Sequence, residues 1–197
     1  MRHRVFIAIN LPEEIKKELS SLQRKWPELP ARWVKPENLH ITLAFLGYLS
    51  DEEVAKVCEI TNEVAKKHSP FSIKLVKISY GPPKKSPPRM VWAIGEKSKP
   101  LTDLKNDLEN ELSGRVGFQP ENRTFTPHIT LARIRKWDFR GIDPEDRPQV
   151  NEDISLSFEV PSIEVMESHL KRSGAEYTVL ESAPLANLHK FEHQYHE

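Results

Sequence analysis

Two periods of apolar and polar residues run along the chain and mark out its elements. Alternation with β-branched residues predicts strands at Arg4–Asn10, Phe71–Ser79, Met90–Ile94, Thr124–Ile134, Ile154–Ser168 and Tyr177–Leu180. Helical spacing takes over between them. Glu13–Trp26 carries Ile15, Leu19 and Leu22 behind Pro12, a residue suited to the start of a helix. Pro27, Pro30 and Pro36 end that segment. From Asp51 to about His68, Val54, Val57, Ile60 and Val64 share one face, and Ser50 with Glu53 has the spacing of a capping box. A third helix is predicted at Leu101–Leu112. Loops are predicted at 81–88, rich in Pro and Lys, and from Trp137 to Asp153, and a Gly-containing turn at Lys171–Gly174 joins the last two strands. The order lacks a regular βαβ rhythm, which predicts an α+β fold of antiparallel sheets with helices on one face.

The pentapeptide His-Ile-Thr-Leu-Ala occurs twice, at His40–Ala44 and at His128–Ala132. On a strand, alternate side chains face opposite ways. Ile41, Leu43, Ile129 and Leu131 therefore suit a core, while His40, Thr42, His128 and Thr130 face a groove. A repeated strand near the middle of each half predicts two lobes related by a pseudo-two-fold.

The 197 residues suit one domain, placed at 1–183, followed by a polar tail at 184–197. Lys+Arg and Asp+Glu both number 29, so the formal charge is zero and no global basic field would gather long nucleic acid. Any RNA contact is then local and directed at a chain end. The single cysteine, Cys58, has no disulfide partner within the chain, which points to a reducing, cytoplasmic setting. The apolar run Val5–Leu11 is too short for a signal segment, and nothing reaches the length of a membrane span.

Two imidazoles and two hydroxyls around one anion suit acid–base phosphoryl transfer. One neutral ring takes a proton from the attacking hydroxyl or water, and the other, charged, protonates the leaving oxygen. Threonine hydroxyls hold the non-bridging oxygens as charge builds. A lone His-x-Thr is ordinarily just the polar face of a strand. Its duplication changes the weighing, because packing explains the repeated Ile and Leu but not the repeated His and Thr. Zinc is the other use for two histidines, yet no Cys or carboxylate cluster flanks either copy as a third ligand.

The two copies resemble the paired His-x-Thr-hydrophobic motifs of the two-histidine phosphoesterase superfamily. Within it the chain looks most like the bacterial and archaeal RNA 2′,3′-cyclic phosphodiesterases, also called 2′-5′ RNA ligases. Val5–Ile9, Trp33-Val34, Pro36–Leu39, Phe45-Leu46-Gly47, Val91-Trp92-Ala93, Phe125-Thr126-Pro127 with Arg133, Glu167-Ser168 and Tyr177–Leu180 extend the likeness over residues 2–182. The resemblance implies a bilobal α+β fold: two pseudo-symmetric antiparallel sheets, helices on their outer faces and a central cleft. It implies hydrolysis of an RNA terminal 2′,3′-cyclic phosphate to a 2′-phosphate, without metal or nucleotide cofactor. His40 would be the proton donor and His128 the proton acceptor, with Thr42 and Thr130 on the phosphate oxygens. The near-symmetry of the motifs gives no independent reason to choose donor from acceptor.

Arg133 suits a phosphate dianion, but strict alternation puts it on the face away from His128 unless the strand ends or bulges. Phe45 holds the equivalent place after His40 and is read as core. Trp33 is open to two readings, a stacking surface for a terminal base or an anchor beside a strand. The cations Lys84, Lys85 and Arg89 are read as a solvated hairpin tip. His189, His193 and His196 are read as part of a frayed tail. The expected partners are RNA 3′ ends or small nucleotides bearing a cyclic phosphate, no membrane, and no second subunit. The alternatives are ATP-independent RNA ligation in the same site and a non-catalytic RNA-end or nucleotide-binding module.

Overall fold

The computed structural model describes residues 2–121, 124–172 and 174–186. Its elements are β1 (Arg2–Asn10), α1 (Glu13–Gln23), β2 (Ala31–Trp33), β3 (His40–Ser50), α2 (Asp51–Ala65), β4 (Phe71–Gly81) and β5 (Met90–Gly95). Then come α3 (Lys99–Val116), β6 (His128–Ile134), α4 (Lys136–Arg140), β7 (Asn151–Val160), β8 (Ser162–Lys171) and β9 (Gly174–Pro184). The tail histidines His189, His193 and His196 lie outside the described residues. So does most of the segment 184–197.

All strand pairing is antiparallel, and the order is β7-β4-β5-β6-β3-β1-β8-β9, with β2 added to β6. The two expected sheets are continuous, but barely. β3 meets β6 through one residue pair, Ile41 with Ile129, the second residue of each repeat. On either side stands a four-strand lobe, β3-β1-β8-β9 and β6-β5-β4-β7, each led by a repeat. The lobes are not the two halves of the sequence. Both chain ends build the first, and residues 71–160 supply the principal strands of the second.

Ser50 caps α2 through the expected box, Glu53 N–H donating to Ser50 Oγ at 3.3 Å and Ser50 N–H to Glu53 Oε2 at 2.7 Å. Leu101, Leu104, Leu108 and Leu112 form the buried stripe of α3, which ends at Gly117 in the left-handed region (φ 69°). α2 packs beside α3, tied by Arg115 to Glu59 at 3.2 Å and to Glu63. Apolar side chains of both lobes join one buried cluster from Val5 to Leu185.

Four stretches differ from the sequence pattern. The run 154–168 is two strands, β7 and β8, broken at Pro161, which has no N–H to give a ladder. The loop after Trp137 contains most of α4, and the short β2 carries no pattern long enough to read. The strand of the second repeat starts only at His128, directly after Pro127.

Candidate active site

Residues 40–45 and 128–133 show the same burial sequence: half-buried, buried, half-buried, buried, buried, exposed. Two consecutive buried residues break strict alternation, and the pairing explains why. Opposite β1, Ile7 faces Ala44 while Ala8 faces Thr42, so Leu43 is an extra residue. Opposite β5, Val91 faces Ala132 while Trp92 faces Thr130, so Leu131 is the extra residue. Both are β-bulges, which add one residue and turn the strand's following side chains over. The bulge carbonyls find donors outside the ladder. Lys105 Nζ donates to Leu43 O at 3.1 Å, and Val34 N–H at 2.8 Å and Gln23 Nε2 at 3.3 Å donate to Leu131 O.

These bulges decide two assignments. Arg133 reaches the cleft, which simple alternation did not allow. Phe45, expected in the core, is 49% exposed and lines the same cleft. Arg4 lies over its ring, 4.9 Å from the centroid. Trp33 is half-buried on β2 and also lines the cleft.

The cleft holds about 640 Å³, and His40, Thr42, His128 and Thr130 all open into it. Each histidine is held the same way. His40 Nδ1 donates to Asn38 O and His128 Nδ1 to Thr126 O, both at 2.8 Å. An N–H on Nδ1 leaves Nε2 as the reactive nitrogen of each neutral ring. Asn38 is itself fixed, its side chain donating to Ala175 O at 2.7 Å.

The surroundings of the two rings differ. His40 packs against Phe6 (4.9 Å between centroids) and the edge of Tyr177 (5.2 Å), and its Nε2 lies 3.1 Å from Thr42 Oγ1. His128 stacks on Trp92 at 3.8 Å, nearly parallel. Trp92 itself lies flat on Gly81, where a Cβ would come within 2.1 Å of the indole. Burial pushes His40 down to about 4, His128 and Arg133 add to the fall, and the Asn38 carbonyl opposes it. His40 is thus a neutral ring at neutral pH, with Thr42 donating to it.

Although the chain is neutral overall, the cleft is not. Among the described residues its wall carries Arg4, Arg32, Lys35, Arg133 and Lys171 and no carboxylate. A wall of this sign gathers anions. Among the described residues no three of the His, Cys, Asp and Glu side chains come together as a metal-ligand set.

The LigT like Phosphoesterase family matches the chain twice, over residues 9–92 and 94–177, with one His-x-Thr pair in each match. The chain belongs to this family. Among its relatives are proteins named RNA 2′,3′-cyclic phosphodiesterase. One from Aquifex aeolicus is 32% identical over 86% of both chains. One from Methanocaldococcus jannaschii is 30% identical over 90% of this chain and 98% of its own. A Thermus thermophilus crystal structure superposes with a TM-score of 0.80 at 30% identity, covering 92% of this chain and 97% of that one. Escherichia coli LigT complexed with 3′-AMP does so with a TM-score of 0.73 at 28% identity, covering 94% and 99%.

Within this LigT-like framework, sequence reasoning missed the residues that frame the rings. Trp92 and Tyr177 stand in segments that carry the family resemblance, yet no period marks them as neighbours of His128 and His40. Gly81 gave no signal for Trp92, because the sequence pattern ended the strand at Ser79 and only the structure carries β4 on to Gly81. No helix of the described chain is long and apolar enough to cross a membrane.

Proposed function

We propose that the cleft opens the 2′,3′-cyclic phosphate at an RNA end, leaving a 2′-phosphate and a 3′-hydroxyl. One observation carries this reading: two imidazoles, each pinned through Nδ1 at 2.8 Å, present Nε2 to one cationic cleft beside a threonine hydroxyl. His128 Nε2 takes a proton from water as its oxygen attacks phosphorus. The P–O3′ bond breaks, and the proton on His40 Nε2 passes to the departing O3′. Proton exchange with solvent then restores both rings. Thr42, Thr130 and Arg133 hold the non-bridging oxygens, whose charge grows in the transition state. Trp33 offers a stacking surface to the terminal base.

The assignment of donor and acceptor follows the family. It requires His40 to gain a proton when substrate arrives, and the arriving anion supplies the reason. A phosphate charge between the rings favours the imidazolium, working against the burial that pushes His40 to about 4 and against the Arg133 charge that adds to the fall. No step of the scheme calls for a metal: the two rings carry both proton transfers, and Thr42, Thr130 and Arg133 meet the charge on the phosphate oxygens. The names of the relatives support RNA as the substrate class. The test is to incubate the protein, with EDTA, with RNA ending in a 2′,3′-cyclic phosphate and to map the product. A 2′-phosphate is expected. A 3′-phosphate would reverse the leaving oxygen, and loss of turnover with EDTA would require a metal.

A further inference from the structure

A second concave surface lies at the end of β6. It holds about 520 Å³ and is lined by Lys85, Ser86, Pro87, Pro88, Arg89, Ile134, Lys136 and Arg140. The hairpin loop between β4 and β5 forms one bank and α4 the other. Ile134 N–H donates to Arg89 O at 2.9 Å and ties the two banks together. Lys84, Lys85, Arg89, Arg135, Lys136 and Arg140 stand in these two segments with a single acid, Asp138. That acid is paired with Arg135 at 3.0 Å. Among the described residues the four cations lining the groove take part in no ion pair. A chain with no net charge thus concentrates unpaired positive charge in one groove, where cations repel one another unless an anion lies among them.

An exposed aromatic stands at the same place. Trp137 on α4 is 75% exposed, the most exposed of the large hydrophobic side chains among the described residues. Lys136 and Arg140, which line the groove, lie 5.5 and 5.4 Å from its ring centroid. An indole face beside cations is the pairing that single-stranded nucleic acid uses, phosphates on the cations and a base on the ring. The groove and the cleft meet β6 at adjacent residues. Arg133 lines the cleft and the next residue, Ile134, lines the groove. Ile134 lies about 13 Å along the strand from Thr130, so a strand leaving the cleft past Arg133 turns over the end of β6 into it.

We propose that this groove binds the body of a single-stranded RNA whose cyclic-phosphate end occupies the cleft, Trp137 stacking one base. This rests on the phosphodiesterase reading of the cleft. It makes a polynucleotide, rather than a mononucleotide, the preferred substrate. The residues concerned take no part in the chemistry, so the two roles separate cleanly. The hairpin cations read from sequence as a solvated tip become one bank of a binding site.

The test compares a mononucleoside 2′,3′-cyclic phosphate with an RNA of about ten nucleotides bearing the same end. Wild type is set against Lys136→Glu/Arg140→Glu and against Trp137→Ala. Both variants should lose about tenfold in kcat/KM on the oligonucleotide and stay within about twofold on the mononucleotide. The charge variant should also flatten the salt dependence of the oligonucleotide rate. Equal losses on both substrates, or none on the oligonucleotide, would overturn the proposal. Binding of labelled RNA with a plain 3′-hydroxyl supplies a readout independent of turnover. About tenfold weaker binding by the variants supports the groove even if wild type cleaves neither substrate, an outcome that would overturn the cleft reading alone. Oligoglutamate competing as well as RNA of equal charge would overturn the assignment to nucleic acid.

Discussion

The two copies of His-Ile-Thr-Leu-Ala are alike in everything that holds the histidines and unlike in what surrounds them. Both have the same burial, a bulge at the leucine and an Nδ1 anchored to the carbonyl two residues before. Around His40 stand two aromatic rings, Phe6 and Tyr177, which meet it at an angle. Around His128 stands one indole, stacked flat. Five residues beyond each histidine stands Phe45 in one lobe and Arg133 in the other, both lining the cleft. The shared features place two proton-carrying nitrogens on one cleft. The differences give that cleft two distinct ends.

The largest effect should come from breaking what the copies share. His40→Ala and His128→Ala are each expected to cut turnover by about 10²–10⁴-fold, with circular dichroism unchanged. The two losses should not multiply, since an acid without its base has little left to do. Single-turnover rates of both variants and the double variant decide this. Full activity in either single variant would end the acid–base scheme.

How much of this could be read in the chain depends on the range of the interaction involved. The His and Thr pairs were legible because alternation is local: Ile41 and Ile129 point inward in any strand with a covered face. The capping box at Ser50 and Glu53 was legible for the same reason. The bulges were not, because the residue in excess is defined by the partner strand, and β1 and β5 lie far from β3 and β6 in sequence. Phe45 was therefore read as core and Arg133 left undecided between two faces. The composition of the lobes was hidden for a similar reason. Strand order β3-β1-β8-β9 joins both chain ends, and no local pattern records that pairing. Pro161 was visible, but the alternation on both sides of it concealed two strands as one.

A smaller effect should appear on one lobe only. Gly81→Ala puts a methyl group where the Trp92 ring now lies, within 2.1 Å of it. The indole must shift, and the face it gives to His128 shifts with it. Overpacking of this kind costs about 2 kcal/mol, which in a chain of this size lowers Tm by about 4–8 °C. Turnover at a temperature where the variant is fully folded should fall while the His40 titration stays in place. A variant that keeps wild-type turnover would mean that the stack on Trp92 does not orient His128.

The finest test concerns the charge that the two lobes share. Arg133 and His128 lie across the cleft from the His40 lobe and help hold that ring near 4. Arg133→Gln removes one positive charge, so the imidazolium of His40 becomes less costly and its pKa must rise. A bound anion acts in the same sense. By reciprocity, an anion that raises the His40 pKa must itself bind more tightly once His40 is protonated. Sulfate is a suitable probe because it does not titrate in this range. Its affinity should strengthen as pH falls through the His40 pKa, and that step should vanish in His40→Gln. Nuclear magnetic resonance titration of the His40 ring, with and without sulfate, measures the same coupling from the other side. If sulfate leaves the His40 pKa unmoved, the anion does not sit between the two rings, and His40 loses the means by which it is proposed to become the acid.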